Sequence, residues 1–213
     1  MQRIGMAIAA ILACAAGPAR AEDAAATSFT KIFTDVCLGK FGHLDMVEEW
    51  AATKELPPIT NPQALAVFAG RPNMDGTMRS FAGGGVPGSG KAWAVHDNTG
   101  RFVVATRLDP ESCTVWAQKA DPADVEAAFA KMVATASTPG TDVQLVQDRK
   151  AGIPDGQVHI RVYRVWAGSN SVALVMAAVS RSGGPFQAML ETQRIFDRDD
   201  EINPMVPLEP PPS

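Results

Sequence analysis

The apolar residues change period once, near residue 90, and this limits the fold more than any other feature. Before it, Phe29, Ile32, Phe33, Val36 and Cys37 recur at helical spacing, and Leu44, Val47, Trp50 and Ala51 do so again. Thr27 or Ser28 reads as the first N-cap, and Gly39 and Gly42 as that helix's end. The second helix spans about 43–54 and is stopped by Pro57-Pro58. A short helical piece after Asn61-Pro62 would turn Leu65 and Phe68 inward.

Past a Gly-, Pro-, Asn- and Ser-rich stretch at 70–90, the period is two. Trp93 and Val95 alternate with Ala92 and Ala94, Arg101 to Leu108 forms a second strand, and Ser112 to Gln118 a third. Asp97-Asn98-Thr99-Gly100 and Asp109-Pro110-Glu111 are hairpin-length turns, which imply antiparallel pairing. Asp121-Pro122 places an N-cap before a proline at N1, and Val125, Phe129, Met132 and Val133 make the buried stripe of the helix that follows. Strands resume at 142–149, 156–167 and 171–181, and 186–196 suits a strand or a helix. The expectation is an α+β fold: an antiparallel sheet of about six strands with helices packed on one face, in the order helices-βββ-α-βββ(β). One domain would occupy 22–196. The acidic, then proline-rich tail 197–213 reads as disordered.

Residues 1–21 stand outside this pattern. Arg3 precedes the apolar run Ile4 to Ala16, and Ala19-Arg20-Ala21 is a small-x-small cleavage site. The segment reads as a secretory signal peptide, which makes the protein periplasmic or secreted. The alternative is a lipoprotein anchored through Cys14, after Ile11-Leu12-Ala13. Cleavage after Ala21 removes Arg3 and Arg20 and no acidic residue, taking the formal charge from −4 to −6. An acidic chain of this kind has no electrostatic footprint for nucleic acid. No integral membrane span is expected after cleavage; the run Val172 to Val179 has the length of a buried strand.

Cys37 and Cys113 survive processing. In an oxidising compartment an isolated pair forms a disulfide, and both fall on stripes expected to face the layer between helix and sheet. Neither belongs to a C-x-x-C pair, so redox catalysis is not indicated.

The catalytic motifs the chain suggests each lack a part. Gly85 to Lys91 fits G-x-x-x-x-G-K, but Ala92 stands where the magnesium-binding hydroxyl belongs, and strand period follows where a helix is needed. No nucleotide is expected. Ser28 and Lys31 match S-x-x-K without S-D-N or K-T-G downstream. There is no H-E-x-x-H or G-x-S-x-G, and no cofactor, metal or catalytic residue is assigned. Of the three histidines, His43 lies near a helix start and His96 at a turn. His159 shares a strand face with Arg161 and Tyr163, which is either a ligand surface or the solvent side of the sheet. Trp116, opposite Cys113 and Val115, is either exposed or covered by another element.

The segments "FTKIFTDVCLGKFG", "EEWA", "GSGKAWAV" and "SCTVWAQKAD" resemble a family of small exported proteobacterial proteins without an assigned activity. In that family an F-x-x-x-C-L helix precedes G-K-A-W-x-V and C-x-V strands. The resemblance covers roughly 28–135. It implies export and a role for Cys37 and Cys113, and it supplies no catalytic residue.

Two functions are expected from these residues. The first is a non-catalytic binding or interaction module of the cell envelope, engaging another envelope protein or a small ligand. The second is a small periplasmic hydrolase with a histidine and carboxylates assembled by the fold. Export is the directly testable part: mass spectrometry of fractionated protein should find Glu22 at the N-terminus, and intact Met1 or a lipid on Cys14 would contradict it.

Overall fold

A computed structural model describes residues 23–41, 43–68, 90–108, 111–137, 139–153, 156–167, 170–181 and 186–195. The signal segment with Cys14, residues 83–89 of the glycine-rich motif and the tail 197–213 lie outside the described residues.

Helix α1 (Ala24–Ile32) continues into a π-helical turn (Phe33–Leu38), followed by α2 (Leu44–Thr53) and α3 (Pro62–Phe68). Strands β1 (Lys91–His96), β2 (Arg101–Leu108) and β3 (Glu111–Ala117) lead to α4 (Pro122–Ala136). Strands β4 (Thr141–Ile153), β5 (Gly156–Ala167), β6 (Asn170–Arg181) and β7 (Ala188–Ile195) complete the described chain.

The first helix begins earlier than its hydrophobic stripe. Its cap is Asp23, whose carboxylate accepts from the Ala25 N–H at 3.1 Å, rather than Thr27 or Ser28. Ala24 to Ala26 are strong helix formers that carry no positional signal, so the stripe alone placed the start too late. Asp121 caps α4 as expected, with Pro122 at its start, and accepts from the N–H groups of Ala123 and Asp124. Gly140, at φ 89°, takes the left-handed turn into β4 that a side chain would strain.

The strands form one seven-stranded antiparallel sheet in the order β1-β2-β3-β7-β6-β5-β4, one strand more than about six. The segment whose type was open, 186–196, supplies that strand: β7 pairs with both β3 and β6 near the middle of the sheet. Two meanders thus meet at β3 and β7, and α4 crosses from one to the other edge.

The sheet is buried on both faces. Phe29, Phe33, Val36, Val47 and Phe129 from the helical layer pack against Val104, Val115, Met176 and Leu190. α3 departs from the one-sided arrangement, because its Leu65 and Phe68 join the opposite cluster around Trp116, Ile160 and Met189. Trp116 is therefore covered, with its ring edge-on to Phe68 and Phe186 at 5.8 and 5.9 Å. The outer edge of β1 is sealed by Pro57 to Ile59, through Ile59 N–H to Ala92 O and Ala94 N–H to Pro57 O. The β4 edge instead carries a bulge and the charged run Asp148-Arg149-Lys150, both of which discourage strand addition.

Cys37, in the π turn, is bonded to Cys113 of β3, with Cα atoms 5.3 Å apart and a sequence separation of 76. The chain-entropy model gives about 4–5 kcal/mol for closing such a loop. Unfolding the unreduced mature protein should expose no free thiol. Replacing both cysteines by alanine should lower stability in urea by about 2–5 kcal/mol.

Candidate functional site

A cleft of about 610 Å³ opens between α1 with its π turn and α4, above the sheet. Thr27, Thr30, Thr34 and Leu38 form one wall, ending at Phe41; Ala128, Lys131, Met132, Thr135 and Ala136 form the other. Val165, Val172 and Leu174 make the floor, and Val165 and Val172 are direct cross-strand partners. Both helices start from one shared knot. The Asp23 N–H donates to Asp124 Oδ2 at 2.9 Å, and the Asp121 N–H donates to Asp23 Oδ2 at 2.6 Å. The two N-termini are thereby held side by side, and the cleft lies between later turns of the same helices. Its volume falls within the range of small-molecule sites.

The threonine wall is less polar than its composition suggests. Thr27, Thr30, Thr34 and Thr135 each donate the hydroxyl proton to the carbonyl four residues earlier, at 3.2, 2.6, 2.9 and 2.9 Å. Lys131, exposed at the rim, is the sole charged residue of the lining among the described residues. Among the described residues no histidine, cysteine or carboxylate lines the cleft.

A second feature lies between α4 and strands β4 and β5. The row His159, Arg161 and Tyr163 is not an open face, because α4 crosses it. His159 is 5% exposed, and Tyr163 packs on Phe129 of α4 with ring centroids 5.8 Å apart. His159 Nε2 lies 2.7 Å from Asp148 Oδ1, and Arg161 Nε donates to Asp148 Oδ2 at 3.0 Å. On the other side of the ring, Nδ1 lies 2.8 Å from Glu126 Oε1 but without the alignment of a hydrogen bond. Both ring nitrogens can donate only in the imidazolium form. The Phe129–Tyr163 contact separates this polar cluster from the cleft, since Val165 follows on the same strand face.

Neither partner of His159 was readable from the local pattern. Asp148 is out of phase with Val143, which packs in the helical layer, and with exposed Leu145. The register shift between Leu145 and Gln147 turns the strand so that Asp148, opposite Arg161, comes to the His159 side. Glu126 belongs to the partly buried flank of α4. Arg107, buried, also pairs with partly buried Glu191, at 3.1 Å across β3 on the opposite face.

The remaining motif residues are placed apart from one another. Lys91 opens a strand rather than a helix, and its ammonium pairs with Glu48 of α2. Lys31 pairs with Asp35, not Ser28. Ser28 instead bonds the carboxylate of Asp97 in the β1–β2 turn. Burial pushes the Asp97 carboxyl up, but bonds from the Thr99 hydroxyl, the Thr99 and Gly100 amides and Ser28 outweigh it and hold it below its ordinary value. His43 and His96 are exposed. Among the described residues no cluster of three or more His, Cys, Asp or Glu could hold a metal ion, and no helix is long and apolar enough to cross a membrane.

Compared with models of known protein families, with curated proteins and with solved structures, the chain matches none. Its functional reading therefore rests on the geometry above.

The Asp148 carboxyl is held below its ordinary value, first by the hydrogen bond from His159 and then, against opposing burial, by the bond and charge of Arg161. A depressed carboxylate stabilises the fold above the unfolded-state value of about 3.9, and that contribution is lost as pH falls through the folded value. Asp148 is 41% exposed, so solvent screening limits the effect to about 1 kcal/mol or less. In urea titrations the stability gap between wild type and Asp148→Asn should hold steady from neutral pH to about pH 5 and shrink below about pH 4.

Proposed function

We propose that the protein is an exported, non-catalytic binding module of the cell envelope, and that the α1–α4 cleft receives a small, largely apolar ligand. The cleft is the observation that carries this reading. It is concave, walled by two helices pinned at their N-termini, and among the described residues its lining holds no histidine, cysteine or carboxylate. The order of residues 1–21 and the Cys37–Cys113 bond support export.

The hydrolase reading draws on one specific observation, the imidazole of His159 between two carboxylates. A nucleophilic mechanism needs a hydroxyl or thiol bonded to that imidazole. The groups against both ring nitrogens are the carboxylates of Glu126 and Asp148. The arrangement suits a buried polar tie between α4, β4 and β5 better than a base awaiting a proton.

Amide and methyl NMR spectra of the mature chain separate the two readings. Titration with an organic extract of the envelope should move resonances of Thr30, Thr34, Met132, Val165 and Val172 and leave His159 unmoved. Shifts centred on His159, or ester turnover abolished by His159→Gln, would favour the hydrolase.

A further inference from the structure

We infer that the cleft holds a single-chain amphiphile with a carboxylate head, a long-chain fatty acid in chemical class, with its chain on the valine floor and its head at Lys131. The inference rests on the cleft being the binding site.

Hydrogen-bonding capacity decides between ligand classes. The four threonine hydroxyls of the lining spend their protons on helix carbonyls, so Lys131 is the main donor left to a ligand among the lining side chains. A bound peptide would bring a carbonyl with every residue and find no row of donors to meet them. Each such group, buried unpaired, opposes binding. A sugar or a nucleotide would desolvate still more polar groups. An acyl chain carries none, and Leu38, Phe41, Met132, Val165, Val172 and Leu174 offer it apolar contact.

Charge sets the head. Lys131 is cationic and exposed, and no carboxylate joins it in the lining among the described residues, so an anion at the rim is favoured. A lone ammonium on a flexible stem is a point charge suited to one anionic group. Phosphate recognition commonly adds bidentate arginine or a cluster of amides. Arg194, which lies over the ring of the lining residue Phe41, is paired with Glu111. The head is therefore assigned as a carboxylate.

The test is calorimetric titration of the mature chain with oleate and with oleyl alcohol, below their aggregation concentrations. Oleate should saturate at one per chain and bind about tenfold or more tighter than the alcohol, the ratio that one ion pair of roughly 1.4 kcal/mol gives. Lys131→Glu should erase that preference. Thr34→Trp should weaken both ligands by at least about tenfold, by filling the cleft from its wall. Both positions are exposed, so the fold should be kept, as thermal unfolding would verify. Equal binding of alcohol and acid, or no effect of Lys131→Glu, overturns the head assignment. Failure of oleate to bind, while envelope extract still moves the cleft resonances, overturns the ligand class alone. Oleate binding undiminished by Thr34→Trp and by Val172→Trp overturns the cleft as its site. Equal affinity for anionic phospholipid vesicles free of fatty acid would show surface adsorption and overturn the inference as well.

Discussion

The bond between Cys37 and Cys113 anchors the π turn, and with it one wall of the cleft, to the sheet. It joins the π turn to β3, a strand in the interior of the sheet. Thr34 and Leu38, which wall the cleft, lie within that same turn. The turn closes with a π-type bond from the Gly39 N–H to Thr34 O, at 2.9 Å. Phe33, Val36 and Cys37 are all buried, so the turn presses one side on the sheet while Thr34 remains exposed. A π-helical turn is rare and recurs at functional sites. Here a covalent bond holds it in place.

The other end of the cleft is set by charge and capping. Asp23 does two things at once: one oxygen caps α1 and the other accepts from the Asp121 amide at the start of α4. Asp124 returns a bond to the Asp23 amide. Two helix N-termini lie together here, and carboxylates are favoured at the positive ends of helix dipoles. Cleavage after Ala21 would leave this knot intact, because Asp23 belongs to the mature chain. The walls are thus fastened by a polar knot at one end and by the disulfide at the other.

The fold was largely legible in the sequence because each of its layers has one dominant period. The change near residue 90, the Asp121-Pro122 start and the hairpin-length turns imply an antiparallel sheet with a crossing helix, and that is what is found. What escaped the pattern has identifiable causes. β7 mixes apolar Met189 and Leu190 with Glu191, Thr192, Gln193 and Arg194, because one face covers the helical core and the other carries a buried ion pair. The first cap was missed because alanines carry no stripe. The partner of His159 was missed because a bulge resets the phase of β4, and no alternation count crosses a bulge correctly. The cleft was least visible of all. Thr27, Thr30 and Thr34 do recur at helical spacing, but that signal is the same for a solvated face.

A cleft of this size beside a densely packed core is itself informative. Protein interiors pack as closely as organic crystals, and voids in them are costly. On the same helix, Val125, Phe129 and Val133 are packed to near-complete burial, while Ala128 and Ala136 stop short where the cleft lies. Leucine at either alanine keeps helix propensity and would add apolar contact, so the small side chains are not required by α4 as a helix. Nor does the sheet require them, since the valines of the floor are good strand formers whatever stands above them. The space follows from small side chains at positions where α4 and the sheet would accept larger ones. Proteins commonly give up stability in this way where a site must stay open.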